Sequence, residues 1–187
     1  MSREIKFRGN SLVTKEEVFG HLFYFDDGRY FISPKGTVVE GDEGEYPSEY
    51  YLRGVKCIEV EPETVSQCTG LKGYMNDSFN DCGQKDVYQG DHITITYDSC
   101  YGGFYAEEQY SGVVDLDDTG TAFVLRNADY ERHGEDIPNR IGDMEISFSL
   151  PDDDDLEQIY LHAFELLPEN ITINGNIYEN PELLKER

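Results

Sequence analysis

Short runs in which aromatic or β-branched side chains alternate with polar ones, each stopped by a Gly- or Asp-rich turn, restrict this chain more than any other feature of its sequence. A period of two sends successive side chains to opposite faces of a strand, whereas a helix needs apolar residues three and four apart. Ile5-Lys6-Phe7-Arg8 has the strand period. The runs Val18 to Phe25 and Tyr30-Phe31-Ile32 are joined through Asp26-Asp27-Gly28-Arg29, whose Asp-Gly pair suits a turn with positive φ, so the two read as a β-hairpin. Val55 to Val60 alternates again and stops at Glu61-Pro62-Glu63, because proline cannot donate to a ladder.

Further on, Tyr88-Gln89-Gly90-Asp91 reads as a tight turn opening a strand from His92 to Tyr97. Its expected partner is Gly112 to Leu116, which runs through Asp117-Asp118-Thr119-Gly120 into Thr121 to Leu125 as a second hairpin. These three antiparallel strands resemble a small SH3-like barrel. The stretch from Gly36 to Tyr51 reads as a loop with short strand fragments such as Thr37-Val38-Val39, and Cys68 to Asp86 as an irregular, mobile loop.

Leu156, Ile159, Tyr160, Ala163, Phe164 and Leu167 are spaced as on a helix and follow Asp152 to Asp155, acids that suit a helix N-terminus; a helix is predicted from about Asp154 to Leu166. Ile171-Thr172-Ile173 then reads as a strand, Gly175-Asn176 as a turn, and Asn180 as the cap of a short helical turn beginning Pro181-Glu182-Leu183-Leu184. The expected class is therefore mainly β (α+β): antiparallel strands and hairpins with an SH3-like small barrel, one helix near 154–166 and a short C-terminal helical turn. One domain over 1–187 is expected, with an N-terminal β region 1–66, a barrel-like region with its helix 87–187, and loop 67–86 between them.

Asp and Glu number 39 against 15 Lys and Arg, a net charge of -24. That field repels nucleic-acid phosphates and anionic lipid, and favours a basic partner surface or bound cations. A hydrophobic share of 38%, with 14 Tyr and 10 Phe, is nevertheless enough for a packed core. Met1 to Lys6 carries charges where a signal peptide needs apolar residues, and no later segment is long and apolar enough for a membrane helix, which predicts a cytoplasmic protein.

Motifs of known chemistry are sparse. Cys57, Cys68, Cys82 and Cys100 form no CxxC pair and read as reduced thiols, buried or incidental. His21, His92, His133 and His162 stand singly, without HxH or HExxH spacing, so each is an ordinary imidazole unless folding gathers them. Asp152 to Asp155 lacks the alternating ligands and central Gly of a calcium loop. Asp115, Asp117 and Asp118 are the acids expected in a hairpin turn. No Gly-rich phosphate loop or GxSxG elbow is present, and neither metal nor cofactor is predicted. The glycine-flanked, Tyr-rich stretch from Gly102 to Tyr110 suits recognition in an exposed loop, which makes Tyr101, Phe104, Tyr105 and Tyr110 the candidate interaction surface.

Three separated blocks carry a resemblance. They are Arg3-Glu4-Ile5-Lys6-Phe7-Arg8; Glu63-Thr64-Val65-Ser66-Gln67-Cys68-Thr69-Gly70-Leu71-Lys72 followed by Val87-Tyr88-Gln89-Gly90-Asp91; and Gly175-Asn176-Ile177-Tyr178-Glu179-Asn180-Pro181-Glu182-Leu183-Leu184. Together they resemble the YopX family of phage and prophage proteins. The pattern departs at Ser66, where glycine is common, at Cys68, where an aromatic is common, and in a longer Gly73 to Lys85 loop. The resemblance implies a phage or prophage product in a bacterial cytoplasm, mainly β, from a family without an established activity.

Three function classes follow. The leading expectation is a non-enzymatic accessory protein, a small homo-oligomer, that contacts a basic host or phage protein through its acidic surface; a sharper variant is an electrostatic DNA mimic occupying a DNA-binding protein. A second class is a metal-assisted enzyme using carboxylates with His92 or His133. A third, direct nucleic-acid binding through Arg3, Lys6 and Arg8, is opposed by the net charge.

Overall fold

A computed structural model describes residues 5–34, 40–43, 50–53, 55–76, 83–101, 103–134, 140–141, 144–145, 151 and 156–183, with 40–43, 50–53, 101, 127, 140–141 and 144–145 described by backbone alone. The chain divides into two compact units, Met1–Gly70 and Leu71–Arg187. It is mainly β and mostly antiparallel, and no helix of seven or more residues occurs among the described residues. None is long and apolar enough to cross a membrane.

The first unit contains β1 (Phe7–Asn10), β2 (Glu17–Tyr24), β3 (Tyr30–Pro34), β4 (Glu40–Glu43), β5 (Tyr50–Arg53), β6 (Ile58–Val60) and the start of β7 (Ser66–Met75). β2 and β3 form the expected hairpin, with Phe23 opposite Phe31. Gly20 is required there, because a Cβ would lie 1.8 Å from the Ser33 carbonyl oxygen. β1 pairs with β2 on one side and with Ser66 and Gln67 on the other, and β6 pairs with β3. A bridge from Ser11 to Val60, with Leu12 N donating to Glu59 O and Glu61 N to Asn10 O, returns β6 to the end of β1, so the pairings close into a ring. Val18, Ile32 and Val60 fill its interior, backed by Phe7, Leu22, Tyr30, Ile58 and Val65. β4 and β5 pair antiparallel, β4 and the start of β5 falling in the stretch expected to be a loop with short strand fragments, and Thr37-Val38-Val39 lies outside the described residues.

The second unit contains the end of β7, then β8 (Lys85–Tyr88), β9 (Asp91–Tyr101), β10 (Phe104–Leu116), β11 (Phe123–Gly134), β12 (Arg140–Ile141), β13 (Met144–Glu145), β14 (Gln158–Tyr160) and β15 (Ile171–Asn176). β9, β10 and β11 are a long antiparallel meander, β14 borders β11, and β15 lies between β9, antiparallel, and the end of β7, parallel. Ile93, Ile95, Val114, Leu125, Ile171 and Ile173 bury one face of it with Val87, Leu156 and Leu161.

Three expectations are corrected here. Residues 158–160 are strand and Leu161–Ala163 a 3-10 turn, where a helix to Leu166 was expected. The β-branched and aromatic side chains Ile159 and Tyr160 gain little from a helix that Pro168 must end, and the exposed side of β11 offers backbone partners, with Leu125 opposite Ile159. The expected loop from Cys68 to Asp86 is strand over 68–75 and again from Lys85, since Leu71, Gly73 and Met75 lie half-buried or buried beside β15. Finally, strands 92–125 form an open meander: among the described residues the second unit's pairings make a path from β14 to β8 with no closing pair, so the SH3-like closure expected there is not formed by these strands.

Candidate interaction surface

The segment expected to be a recognition loop is the tip of a tight hairpin. Tyr101 pairs directly with Phe104, and Gly103 takes a φ of +93°, a conformation that glycine adopts without a Cβ penalty. Strand alternation then separates the four aromatic candidates. Tyr105 points outward and is 68% exposed, whereas Phe104 and Tyr110 are half-buried. Tyr110 belongs to an interior cluster, its ring parallel to Tyr97 at 6.0 Å and 4.9 Å from Tyr130, with Phe164 5.7 Å away. The Tyr101 side chain lies outside the described residues.

Period two places Asp98 and Thr96 of β9, Tyr105, Glu107 and Gln109 of β10, and Asp129, Glu131 and His133 of β11 on the face opposite the core. The register aligns them in rows: Glu107 lies directly between Asp98 and His133, and Gln109 between Thr96 and Glu131. Gln109 Nε2 donates to Glu107 Oε1 at 2.8 Å, and His133 Nε2 lies 3.3 Å from Glu131 Oε2. Asp98 and Glu107 are both exposed, and cross-strand partners have Cβ atoms about 5 Å apart, so their charges repel across the pair. This acidic row was not legible in sequence, because the strands were expected to stop short of it; the alternation Tyr105, Glu107, Gln109 and Ser111 was its only trace.

Other candidates resolve into local roles. Asp117 accepts hydrogen bonds from Thr121 N, Thr119 Oγ1, Ala122 N and Thr121 Oγ1, and the Thr121 backbone bond, first among these, holds its carboxyl below the usual range. Arg126 ties Asp118, at 2.8 Å, to the Leu116 carbonyl. These acids shape the hairpin turn. His92 Nδ1 accepts from Asn174 Nδ2 at 3.2 Å, and desolvation lowers its pKa, partly offset by Asp129. His21 and His162 are exposed on other elements. Among the described residues no three His, Cys, Asp or Glu side chains are grouped to hold a metal ion, so the convergence that a metal-assisted enzyme requires is not seen there. Asp152 to Asp155 lies outside the described residues.

Cys57 is half-buried, with burial pushing its thiol up; Cys68 is buried and accepts from Gly70 N at 3.4 Å; Cys100 is exposed; Cys82 lies outside the described residues. Of Arg3, Lys6 and Arg8, the residues of the disfavoured nucleic-acid reading, Arg8 is buried with Nε 3.5 Å from Glu17 and so offers no exposed charge, and Arg3 lies outside the described residues. The chain matches no protein-family model, no curated protein and no solved structure.

Proposed function

We propose that this chain is a protein-binding accessory module, of the phage or prophage kind that its YopX-like blocks suggest, and that it receives a basic partner on the outward face of β9, β10 and β11. The observation that carries the reading is the exposed row of Asp98 opposite Glu107, with Glu131, Asp129 and the exposed ring of Tyr105 beside it. Like charges directly opposite on neighbouring strands weaken a sheet. A cationic surface laid across them relieves that repulsion, so part of the binding free energy is already stored in the unbound chain. Tyr105 supplies a large, rigid contact that acids alone lack.

The test is affinity purification from lysogenic or infected host cells with the unmodified chain and with an Asp98→Lys/Glu107→Lys variant, followed by mass spectrometry. Basic proteins should co-elute with the former, be lost with the latter, and be released by salt of about 0.5 M, where screening is nearly complete. Co-elution unchanged by the variant and by salt would refute the proposal. The DNA-mimic form of the reading is the case in which those proteins bind DNA and double-stranded DNA displaces the chain.

A further inference from the structure

Resting on that acidic-surface reading, we infer that the partner engages through an extended, Lys- or Arg-bearing segment that adds as a strand to the open edge of β9 at Asp98–Cys100. β10 follows β9 along nearly its whole length, from Tyr101 opposite Phe104 to His92 opposite Val113. β15 covers the other side only from Asp91 to Ile95. Immediately beyond, the Asn170 side chain, at the end of the 3-10 turn Pro168–Asn170, donates to the Thr96 carbonyl at 3.0 Å.

That bond fixes which way the backbone faces. In an antiparallel ladder alternate residues direct both N–H and C=O to the same neighbour. Since Thr96 C=O points to the β15 side, the N–H and C=O groups of Asp98 and Cys100 point there too, past the end of β15. Two donors and two acceptors in strand geometry therefore line an edge that no described element covers, which is the arrangement that strand addition uses.

Charge selects the occupant. A second copy pairing along this edge would bring its own Asp98 and Glu107 against the same residues, which like-charge repulsion opposes. A segment alternating Lys or Arg with apolar residues places its cations beside Asp98 and, one strand further, Glu107. Its outward side chains also reach the ring of Tyr105, which lies directly opposite Cys100 on the same face. The backbone supplies the affinity and the carboxylates supply the preference.

The experiment uses the full chain and a fluorescent peptide of alternating Lys and Val, read by anisotropy at low salt, against the same peptide N-methylated on alternate residues. N-methylation keeps every charge and removes the edge hydrogen bonds. Binding of the first peptide, with a loss of about tenfold on N-methylation, is the result expected for one or two backbone hydrogen bonds. Cys100→Pro, which deletes an edge donor and none directed at β10, should give a similar loss with the β-sheet circular dichroism unchanged. If the two peptides bind equally, or neither binds, strand addition is wrong whatever the variant does. Equal binding that Asp98→Lys/Glu107→Lys still abolishes would leave the acidic-surface reading standing, whereas binding indifferent to that variant would remove both.

Discussion

Across the β9–β10 pair the Tyr97 hydroxyl donates a 2.9 Å hydrogen bond to Glu108 Oε2, while Glu108 Oε1, on a side chain from a residue only 3% exposed, has no hydrogen-bond partner among the described residues. The Tyr130 hydroxyl is near enough for Glu108 to raise its pKa by charge and by hydrogen bonding, although the two fall outside standard hydrogen-bond geometry. Among the described residues Tyr97 is the donor to this buried carboxyl group in standard geometry, and removing it leaves Oε2 short of a partner as well. Tyr97→Phe is expected to destabilise the second unit by about 1–3 kcal/mol, the usual cost of a buried acceptor left unsatisfied. Urea denaturation should show a lower midpoint at an unchanged slope.

The same cluster makes stability fall at alkaline pH. Burial, then the hydroxyl of Tyr110 and the Glu108 carboxylate, push the Tyr97 phenol far above its usual pKa of 10.0, and burial with the Glu108 charge does the same to Tyr130. The folded chain keeps protons that the unfolded chain releases near pH 10, so folding is progressively disfavoured as pH rises through that value. Tyrosinate absorbance should then show most tyrosines titrating normally and a class that ionises only together with loss of the β-sheet signal. All tyrosines titrating in a single normal phase would contradict the buried cluster.

How much of this was readable beforehand depends on what each residue's neighbours decide. The hairpins at Asp26-Asp27-Gly28 and at Asp117 to Gly120 were visible because their turn chemistry is local. Residues 158–163 differ from the expected helix because Leu156, Ile159 and Phe164 satisfy a helical period as well as they satisfy burial over a strand and a 3-10 turn. Leu125 and Val124 of β11, more than thirty residues away, settle which one forms. The acidic row was invisible for a related reason: Asp98, Glu107 and His133 become neighbours only through the register of two hairpins. Of the candidate aromatics Tyr105 is exposed, but Tyr110, five residues on, turns inward because strand alternation, not a loop, governs that stretch.

His92 gives the opposite pH limb. Desolvation lowers its pKa from 6.5, Asp129 partly opposes this, and Asn174 Nδ2 donates to Nδ1, a bond that a protonated ring cannot accept. The unfolded chain takes up a proton as pH falls through about 6.5 while the folded chain resists, so His92 weakens folding below that pH and not above it. One proton limits the slope to about 1.4 kcal/mol per pH unit. Thermal unfolding of a His92→Gln variant should show a flatter dependence between pH 7 and 5 than the unmodified chain, roughly the window in which an imidazole titrates. A variant profile parallel to the original would mean that the imidazole is equally free to protonate in both states.

Gly73 tests the parallel contact between β7 and β15. It is buried where a Cβ would stand 2.7 Å from Ile171 Cγ2 and 2.8 Å from the Ile171 carbonyl oxygen. The methyl can yield by rotating Ile171, but the carbonyl belongs to β15, whose Thr172 and Ile173 are in register with Tyr74 and Met75. Ile171 itself is 1% exposed in the core, so the strands must separate rather than the side chain move. Gly73→Ala is thus expected to cost about 1–3 kcal/mol, the range for overpacking a tight interior. Hydrogen exchange should locate the loss, with faster exchange in β15 and in the β9 residues paired with it, while β10 and β11, which pair with neither β7 nor β15, keep their protection. Uniform loss across the second unit would show instead that β15 opens only with global unfolding, and unchanged exchange would show that β7 and β15 are not packed so closely.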